Sequence, residues 1–342
     1  MRILLRFSIL FILTLLVLVV LSFALIYLFP GDVLNNLTGI SAQSEAHRDM
    51  LVEKHRLDEA YFFQFTHYVS DLFSGNWGQS FVSGLPLKEE IGRALPATIE
   101  LAFYAMFIAV VIGIPVGCYV GLKSYTPVDY SINSLSMVGY SFPVFWLALL
   151  FILMFSLELN IAPLSGRISL LFDIPHRTGF ILIDILLAKD IDTSLAMRDA
   201  FRHLLLPTLA ISVISTASMI RMVRRSVIDV LNRPYITAAR SRGLSRWQIF
   251  SRHILRNALL PVLPLMAIQI TTLITNAMIV ETLFSWPGIG NWLIQAIYQR
   301  DFPALRVGML AVASLVITLT ITIDLFNRLI DPSRDKYERG TI

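Results

Sequence analysis

Six long apolar runs, none of which contains a charged side chain, limit what this chain can fold into. Roughly 17–25 apolar residues cross the core of a bilayer as a helix, and each run is long enough to do so. The chain is also only 15 % charged, whereas soluble domains hold about 25 %. We therefore predict an all-α integral membrane protein. Its six transmembrane helices are expected within residues 7–29, 101–122, 131–157, 204–220, 259–280 and 307–323.

Two apolar stretches, the first run and a shorter seventh stretch, have features that distinguish them from the other runs. Run 7–29 follows Arg2 and Arg6, so its charge pattern resembles that of a signal peptide. Its 23 residues nevertheless exceed the roughly 7–15 of a cleavable apolar region, and we expect an uncleaved anchor. Stretch 179–188 has ten residues and contains Asp184, which predicts a segment at the membrane interface rather than a span.

The distribution of basic residues predicts which side each loop faces. Residues 221–257 hold nine arginines and one acidic residue, whereas residues 30–97 hold five basic and nine acidic residues. Residues 159–203 hold five of each. Because short cytoplasmic loops carry an excess of Lys and Arg, we expect residues 222–258 and both termini on the cytoplasmic side. The same asymmetry accounts for the basic net charge without a nucleic-acid partner.

Residues 235–257 combine this positive charge with a clear local pattern. Residues 235–242 are compatible with a helix, and Gly243 provides a left-handed residue that ends it. Ser245 and Gln248 have the spacing of a capping box, which predicts that a second helix begins there. One turn before the glycine, Ala238 and Ala239 are expected to offer a small surface that another protein could approach closely.

Three interpretations of this helix–turn–helix segment compete. A basic segment of this kind could bind DNA, but this one is tied to a membrane span at each end. It could also be an inward-facing positive loop that has no partner. The third interpretation, which we favour, is a docking element for a cytoplasmic protein. We assign no specific contacts to its exposed arginines.

The third apolar run carries a second candidate site at a predicted break. Pro143 removes a backbone donor in the middle of this run, within the sequence 139–146. Tyr140, Ser141 and Trp146 lie beside the break. This arrangement fits either a packing kink or one wall of a translocation path.

Outside the spans, residues 61–73 predict an amphipathic, aromatic helix that either lies among lipid headgroups or packs on the outer ends of the spans.

Other classes of membrane protein fit the sequence less well. An ion-coupled transporter usually needs carboxylates or histidines within its spans, but Glu100, Glu281 and Asp324 lie only at span edges. The spans also lack a histidine or aspartate that could activate a nucleophile, which argues against an intramembrane enzyme. His47 and His55 are eight residues apart, too far for metal ligands on one helical turn.

Several motifs in order resemble ABC importer permeases of the dipeptide/oligopeptide branch. Ala238, Ala239 and Gly243 match the cytoplasmic E-A-A-x3-G loop of that family, with Thr237 in place of the glutamate. The I-x-L-P that normally ends the loop is absent at its usual spacing, and the run to 260–261 is longer. Further stretches that are similar are 30–32, 96–101, 139–146 and 281–290, and the outer piece ending at 78 departs at Asn76 and Trp77. Residues 163–180 resemble dipeptide-type and Sap-type members.

The resemblance implies an architecture and a set of partners. The fold would be the six-helix type I importer permease, with both termini cytoplasmic. It implies an N-terminal anchor and outer segment over 1–95, a permease domain over 96–332 with a coupling loop at 222–258, and a cytoplasmic tail at 333–342. The partners would be a second, homologous permease forming a heterodimer, two cytoplasmic ATPase subunits, an extracytoplasmic solute-binding protein and membrane lipid.

The resemblance also implies the role of individual residues. Thr237, Ala238, Ala239, Gly243 and Leu244 would contact the ATPases, and Tyr140, Ser141, Pro143 and Trp146 would border the path. No Gly-x4-Gly-Lys-Ser/Thr phosphate loop occurs in the sequence, so ATP would be bound by the partner subunits and this chain would carry no cofactor. The chain would be a non-catalytic subunit in the bacterial inner membrane. Its solute would be a peptide or, on the same scaffold, nickel, haem or a polyamine.

Overall fold

The computed structural model of the protein describes residues 2–39, 44–189 and 191–330, with side chains placed over 8–39, 44–189 and 191–328. Within these ranges all regular structure is helical apart from one isolated bridge between Gln79 and Pro86. The α-helices are α1 Arg2–Leu28, α2 Val33–Thr38, α3 Glu45–Lys54, α4 Tyr61–Ser74, α5 Leu87–Leu122, α6 Pro127–Ser141, α7 Val144–Phe151, α8 Ile181–Leu187, α9 Thr193–Leu231, α10 Pro234–Ser241, α11 Arg246–Ile249, α12 Leu255–Leu259, α13 Val262–Leu283, α14 Ile289–Gln299 and α15 Phe302–Ile330. Two π-helical segments, Ile152–Glu158 and Phe250–Ile254, follow α7 and α11.

Five of these helices are long and apolar enough to cross a membrane. They comprise α5, α9, α13 and the segments Ser8–Leu28 and Phe302–Arg328 of α1 and α15. The third predicted span, 131–157, instead forms a bent pair, Pro127–Ser141 and Val144–Glu158, whose two parts meet at 94°. The six predicted apolar runs therefore all occur in helices, and counting the bent pair once gives six candidate spans.

The bend lies where the sequence predicts a break. Phe142 has an extended backbone with ψ of 133°, and Pro143 then precedes the first turn of α7. Proline disfavours a helical conformation in the residue before it, which explains why α6 ends at Ser141. Not every proline in a span ends a helix. Pro207, for example, lies inside the continuous helix α9.

The chain divides into two compact units. One comprises Met1–Thr98, Pro175–Asp184 and Pro287–Thr318, and the other comprises Ile99–Ile174, Ile185–Trp286 and Leu319–Ile342.

In the first unit the aromatic helix α4 packs on α1. The ring of Phe65 lies 5.5 Å from that of Phe23, and the hydroxyls of Tyr68 and Ser22 are 2.7 Å apart. Phe62 and Phe73 on the same helix remain exposed. Of the two predicted placements of this helix, the structure supports packing on the end of α1 for one face, while the other face carries exposed aromatic rings.

The seventh apolar stretch contains the short helix α8. This helix has only seven residues, too few to span the membrane. Asp184 on this helix accepts hydrogen bonds from the backbone and hydroxyl of Thr178, both at 2.7 Å, and from the backbone of Gly179 at 3.1 Å. Burial alone would raise the pKa of the Asp184 carboxyl, but these hydrogen bonds favour the charged form and the pKa is lowered. The aspartate thus holds the turn that leads into α8.

In the second unit α5 and α9 approach each other closely along a row of glycines. Added β-carbons at Gly113, Gly117 and Gly121 would lie 2.6–2.7 Å from the side chains of Met219, Val223 and Val227. Small residues four apart allow two membrane helices to come into backbone contact. This contact fixes α9, the helix that leads directly into the positively charged segment, against α5.

Candidate functional site

The helix–turn–helix predicted over residues 235–257 is present, with its predicted glycine turn and helix cap. Helix α10 begins at Pro234, and Gly243 follows it with φ of +78°, the left-handed conformation that favours glycine. Ser245 then caps α11, because its hydroxyl accepts from the backbone of Gln248 at 3.2 Å while the Gln248 side chain accepts from the Ser245 backbone at 2.9 Å. The π-helical segment Phe250–Ile254 and α12 continue to Leu259. We name residues 235–257 the coupling segment.

One face of the coupling segment packs on the end of α9. Ile236, Ala239, Ile249 and Ile254 are buried in one apolar cluster together with Val223, Val227 and Val230 of α9. A buried hydrogen bond of 2.6 Å joins the Ser226 hydroxyl of α9 to the carbonyl of Ala258. Since packed apolar contacts and a buried hydrogen bond both oppose relative motion, the segment and α9 form one rigid piece.

The opposite face of the coupling segment is open. Thr237, Ala238 and Gly243 are exposed, and a β-carbon added at Gly243 would meet no atom within 4 Å. Trp247 is 72 % exposed on the same segment. Tryptophan is enriched among the residues that contribute most to binding at protein interfaces.

The two alanines differ from the expectation that both would lie on this open surface. Ala239 is only 5 % exposed and belongs to the apolar cluster beneath the segment, and Leu244 is half-buried. The 3.6-residue period of α10 explains the difference, because consecutive residues point about 100° apart and only Ala238 is directed outward.

No carboxylate in the described part of the chain neutralises the positive charge of the coupling segment. All five arginines of the segment are exposed, and none forms an ion pair with a carboxylate in the described ranges. These are Arg240, Arg242, Arg246, Arg252 and Arg256.

Next to this rigid piece, Asp129 of α6 pairs with Arg224 of α9. Two parallel contacts join them, Nε to Oδ1 at 2.5 Å and Nη2 to Oδ2 at 2.7 Å, and the backbone of Tyr125 donates to Oδ2 at 2.8 Å. Asp129 is fully buried and Arg224 is 22 % exposed. The pair ties the start of the bent span to the helix that carries the coupling segment.

A cavity of about 470 Å³ opens at the bend between α6 and α7. Its walls come from the bend, from α9 and from α13, and the residues that line it are Tyr140, Phe142, Pro143, Val144, Ile214, Ser218, Met222, Leu265, Ile268, Gln269, Thr272 and Asn276. Every lining side chain is uncharged. The wall is mainly apolar with a few groups that can form hydrogen bonds, which is typical of a site for a small solute.

The four residues predicted to border a path are divided by the structure. Tyr140 and Pro143 line the cavity. Ser141 instead donates its hydroxyl to the carbonyl of Met137 at 2.7 Å, and Trp146 stacks on Phe142 with ring centres 4.6 Å apart. Neither of these two is a lining residue in this conformation.

Several polar residues at the cavity were not selected from the sequence. Gln269 and Asn276 lie in the cavity wall, and the Gln269 amide donates to the carbonyl of Ser215 at 3.4 Å. The signal was present, because both interrupt an otherwise apolar run, and polar residues inside a span often mark a pathway. Arg221 was also missed. Its guanidinium lies 4.3 Å from the ring centre of Tyr140.

Comparison with known proteins gives consistent matches over most of the chain. A family model described as "Binding-protein-dependent transport system inner membrane component" matches residues 113–336. The chain is 40 % identical over 322 residues to the di/tripeptide transport system permease protein DppB of Pseudomonas aeruginosa (strain UCBPP-PA14), covering 93 % of this chain and 94 % of the relative. It is 41 % identical over 269 residues to the putrescine export system permease protein SapB of Escherichia coli (strain K12), covering 79 % of this chain and 84 % of the relative.

One solved structure supports the fold independently of close sequence similarity. The inward-facing MetNI methionine ABC transporter matches with a TM-score of 0.52 at 16 % identity, covering 70 % of this chain and 95 % of the matched chain. At this identity the match concerns the fold alone. The helical arrangement of this chain is therefore similar to that of the matched chain.

Proposed function

The chain belongs to the family of binding-protein-dependent transport system inner membrane components, and on this basis we propose that it is the subunit through which short peptides cross the membrane. As a member of this family it is a multi-pass, non-catalytic permease of the bacterial inner membrane. The observation that carries the peptide proposal is the 40 % identity to a di/tripeptide permease over 93 % of the chain. ATP binding belongs to separate subunits in this proposal.

We propose that the coupling segment is the contact with those ATPase subunits. Its open face offers Thr237, Ala238, Gly243 and the exposed Trp247, and its buried face is fixed to α9. Movement of an ATPase would therefore be transmitted to α9 and α13 as movement of a rigid lever. Leu244 and Ala239 support this surface from beneath rather than touching the partner. The assembly would contain a second permease, two ATPases and a solute-binding protein.

The proposed path runs through the cavity at the bend. Tyr140 and Pro143 form one wall, while Ser218 of α9 and Gln269 of α13 form the others. A path lined by neutral side chains suits solutes of varied structure, with selection left to the binding protein. We further propose that residues 96–332 form the permease domain and residues 1–95 an anchor and outer segment, while the proposed tail 333–342 lies outside the described residues.

Deleting the gene of the solute-binding protein tests the substrate class. We expect loss of uptake of labelled di- to pentapeptides. The same loss is expected when the gene of this chain is deleted, and a plasmid copy should restore uptake. Nickel and putrescine uptake, measured in parallel, should not change. Peptide uptake that persists while uptake of nickel or putrescine disappears would contradict the proposal. The similarity to a putrescine export permease makes putrescine the second candidate, so its efflux is measured as well.

Thiol labelling tests the proposed topology, in which both termini are cytoplasmic. The single native cysteine, Cys118, is buried, so new cysteines can be read against a low background. On the proposed outer side, Gln43 lies outside the described residues, and the exposed Ser74 is used instead. On the proposed inner side, Ser241 is exposed. We expect an impermeant maleimide to label Ser74→Cys in intact cells and Ser241→Cys only after permeabilisation.

The labelling result also decides whether the bent pair crosses the membrane. Between Ser74 and Ser241 the chain passes through α5, the bent pair and α9. Three crossings put the two positions on opposite sides, whereas two crossings put them on the same side. Labelling of both cysteines in intact cells would therefore show that the bent pair enters and leaves on one face, and would contradict the proposed six-span topology.

A further inference from the structure

An arginine that forms no ion pair with any carboxylate among the described residues lies directly behind the cavity wall. The guanidinium of Arg221 stacks on the ring of Tyr140, 4.3 Å from its centre, and Tyr140 lines the cavity. Its Nε atom is buried and has no hydrogen-bond partner in the described part of the chain. Ser218 and Met222, three positions before and one after Arg221 on α9, are themselves lining residues. The cation is thus placed behind the part of the cavity wall that Tyr140 forms.

The neighbouring charges do not neutralise this cation. Asp129, the acidic residue on α6, is already committed to Arg224 in a two-point pair. Arg225, next along α9, is exposed. The cavity lining contains no acidic residue. A cation beside a partly apolar cavity interacts strongly with an anion that enters, because the local dielectric is lower than that of water.

The uncharged polar groups of the cavity complement the cation. Gln269 and Asn276 present carboxamides on α13, and the Gln269 carbonyl oxygen remains available when its amide donates to Ser215. A carboxamide can both donate to and accept from a peptide group, whichever side chain the peptide carries. A peptide with a free terminus therefore offers a partner for each group: amides for the carboxamides and a carboxylate for the arginine.

We infer that the cavity at the bend recognises the carboxylate terminus of the solute, with Arg221 as its counter-charge beside Tyr140. The inference rests on the proposed peptide function and makes it more specific. In this arrangement the solute carboxylate accepts hydrogen bonds from the Arg221 guanidinium. To reach the solute, the guanidinium moves along the Tyr140 ring or away from it. A dication such as putrescine is repelled at the same place.

Transport of a dipeptide and of its C-terminal amide tests the inference. The complete transporter, purified with its partner subunits and reconstituted in liposomes with its binding protein, is assayed with alanyl-alanine and alanyl-alanine amide. The variants are Arg221→Gln and Arg221→Lys, with Arg225→Gln as the control on the same helix. We expect Arg221→Gln to reduce the acid-to-amide ratio of transport rates by about tenfold, the order expected when one charged hydrogen bond is lost. Arg221→Lys and Arg225→Gln should retain most of the ratio.

The comparison of ratios removes the contribution of the binding protein, since the same binding protein serves every variant. An unchanged ratio in Arg221→Gln, or an equal loss of both substrates, overturns the inference, because it gives Arg221 no role specific to the carboxylate. Peptide transport by the wild type would still stand in that case. A wild-type transporter that carries neither peptide overturns the proposed substrate class and this inference with it.

Discussion

Gly243→Asp is expected to abolish ATP-driven uptake while the chain still inserts into the membrane. Gly243 has φ of +78°, where an ordinary residue is destabilised by about 1–2 kcal/mol. Apart from the two chain neighbours, no atom of the described residues lies within 4 Å of the added β-carbon, so there is room in this chain for the side chain to begin. It projects from the open face of the coupling segment, where the proposed ATPase contact would have to accommodate it.

The expected loss of ATPase association is at least about thirtyfold, which corresponds to a defect of about 2 kcal/mol at the centre of an interface. Co-purification of the ATPases and solute uptake are the two measurements. Gly84 supplies a matched control, because it also has a positive φ, +68°, and open space around its β-carbon, but lies in the outer segment. Gly84→Asp should therefore cause the same local strain without loss of association. Normal association and uptake in Gly243→Asp would remove the basis for placing the ATPase contact here.

Local sequence patterns predicted the elements that depend on neighbouring residues. The capping box of Ser245 and Gln248 and the left-handed Gly243 are both confirmed, because each is determined within four residues. The break at Pro143 is confirmed for the same reason. The apolar runs correctly located the five long apolar helices and the bent pair but not the ends of these helices. Helix α9 begins at Thr193, well before the apolar run, and its first turns include charged residues.

Features that depend on distant residues were not predictable from one sequence. Asp129 and Arg224 are 95 positions apart, and their contact follows from how α6 packs on α9. The stacking of Arg221 on Tyr140 has the same origin. The burial of Ala239 also depends on tertiary packing, since the sequence shows two equal alanines and only contact with α9 distinguishes them. The family resemblance identified the segment, whereas the structure determines which of its side chains are available to a partner.

Removal of one member of the Asp129–Arg224 pair is expected to be among the most destabilising changes outside the apolar core. Asp129→Ala leaves Arg224 without its two-point partner and also removes an acceptor from the backbone of Tyr125. Breaking a buried ion pair destabilises a protein by about 3–5 kcal/mol. We expect about 3 kcal/mol, near the lower end, because Arg224 is 22 % exposed and water partly replaces the lost carboxylate.

The measurement is the unfolding transition of the purified chain in detergent, and a double variant distinguishes the pair from general damage. Asp129→Ala combined with Arg224→Met removes both charges, so it should recover much of the stability lost in the single variant. The exposed Arg93–Glu89 pair, with a separation of 3.9 Å, gives the contrasting case, and Arg93→Ala should change the transition little. If Asp129→Ala and Arg93→Ala have equally small effects, the pair does not hold α6 to α9. In that case the packing of α6 on α9, which includes Gly139 against Val213 and Ala217, would not depend on this ion pair.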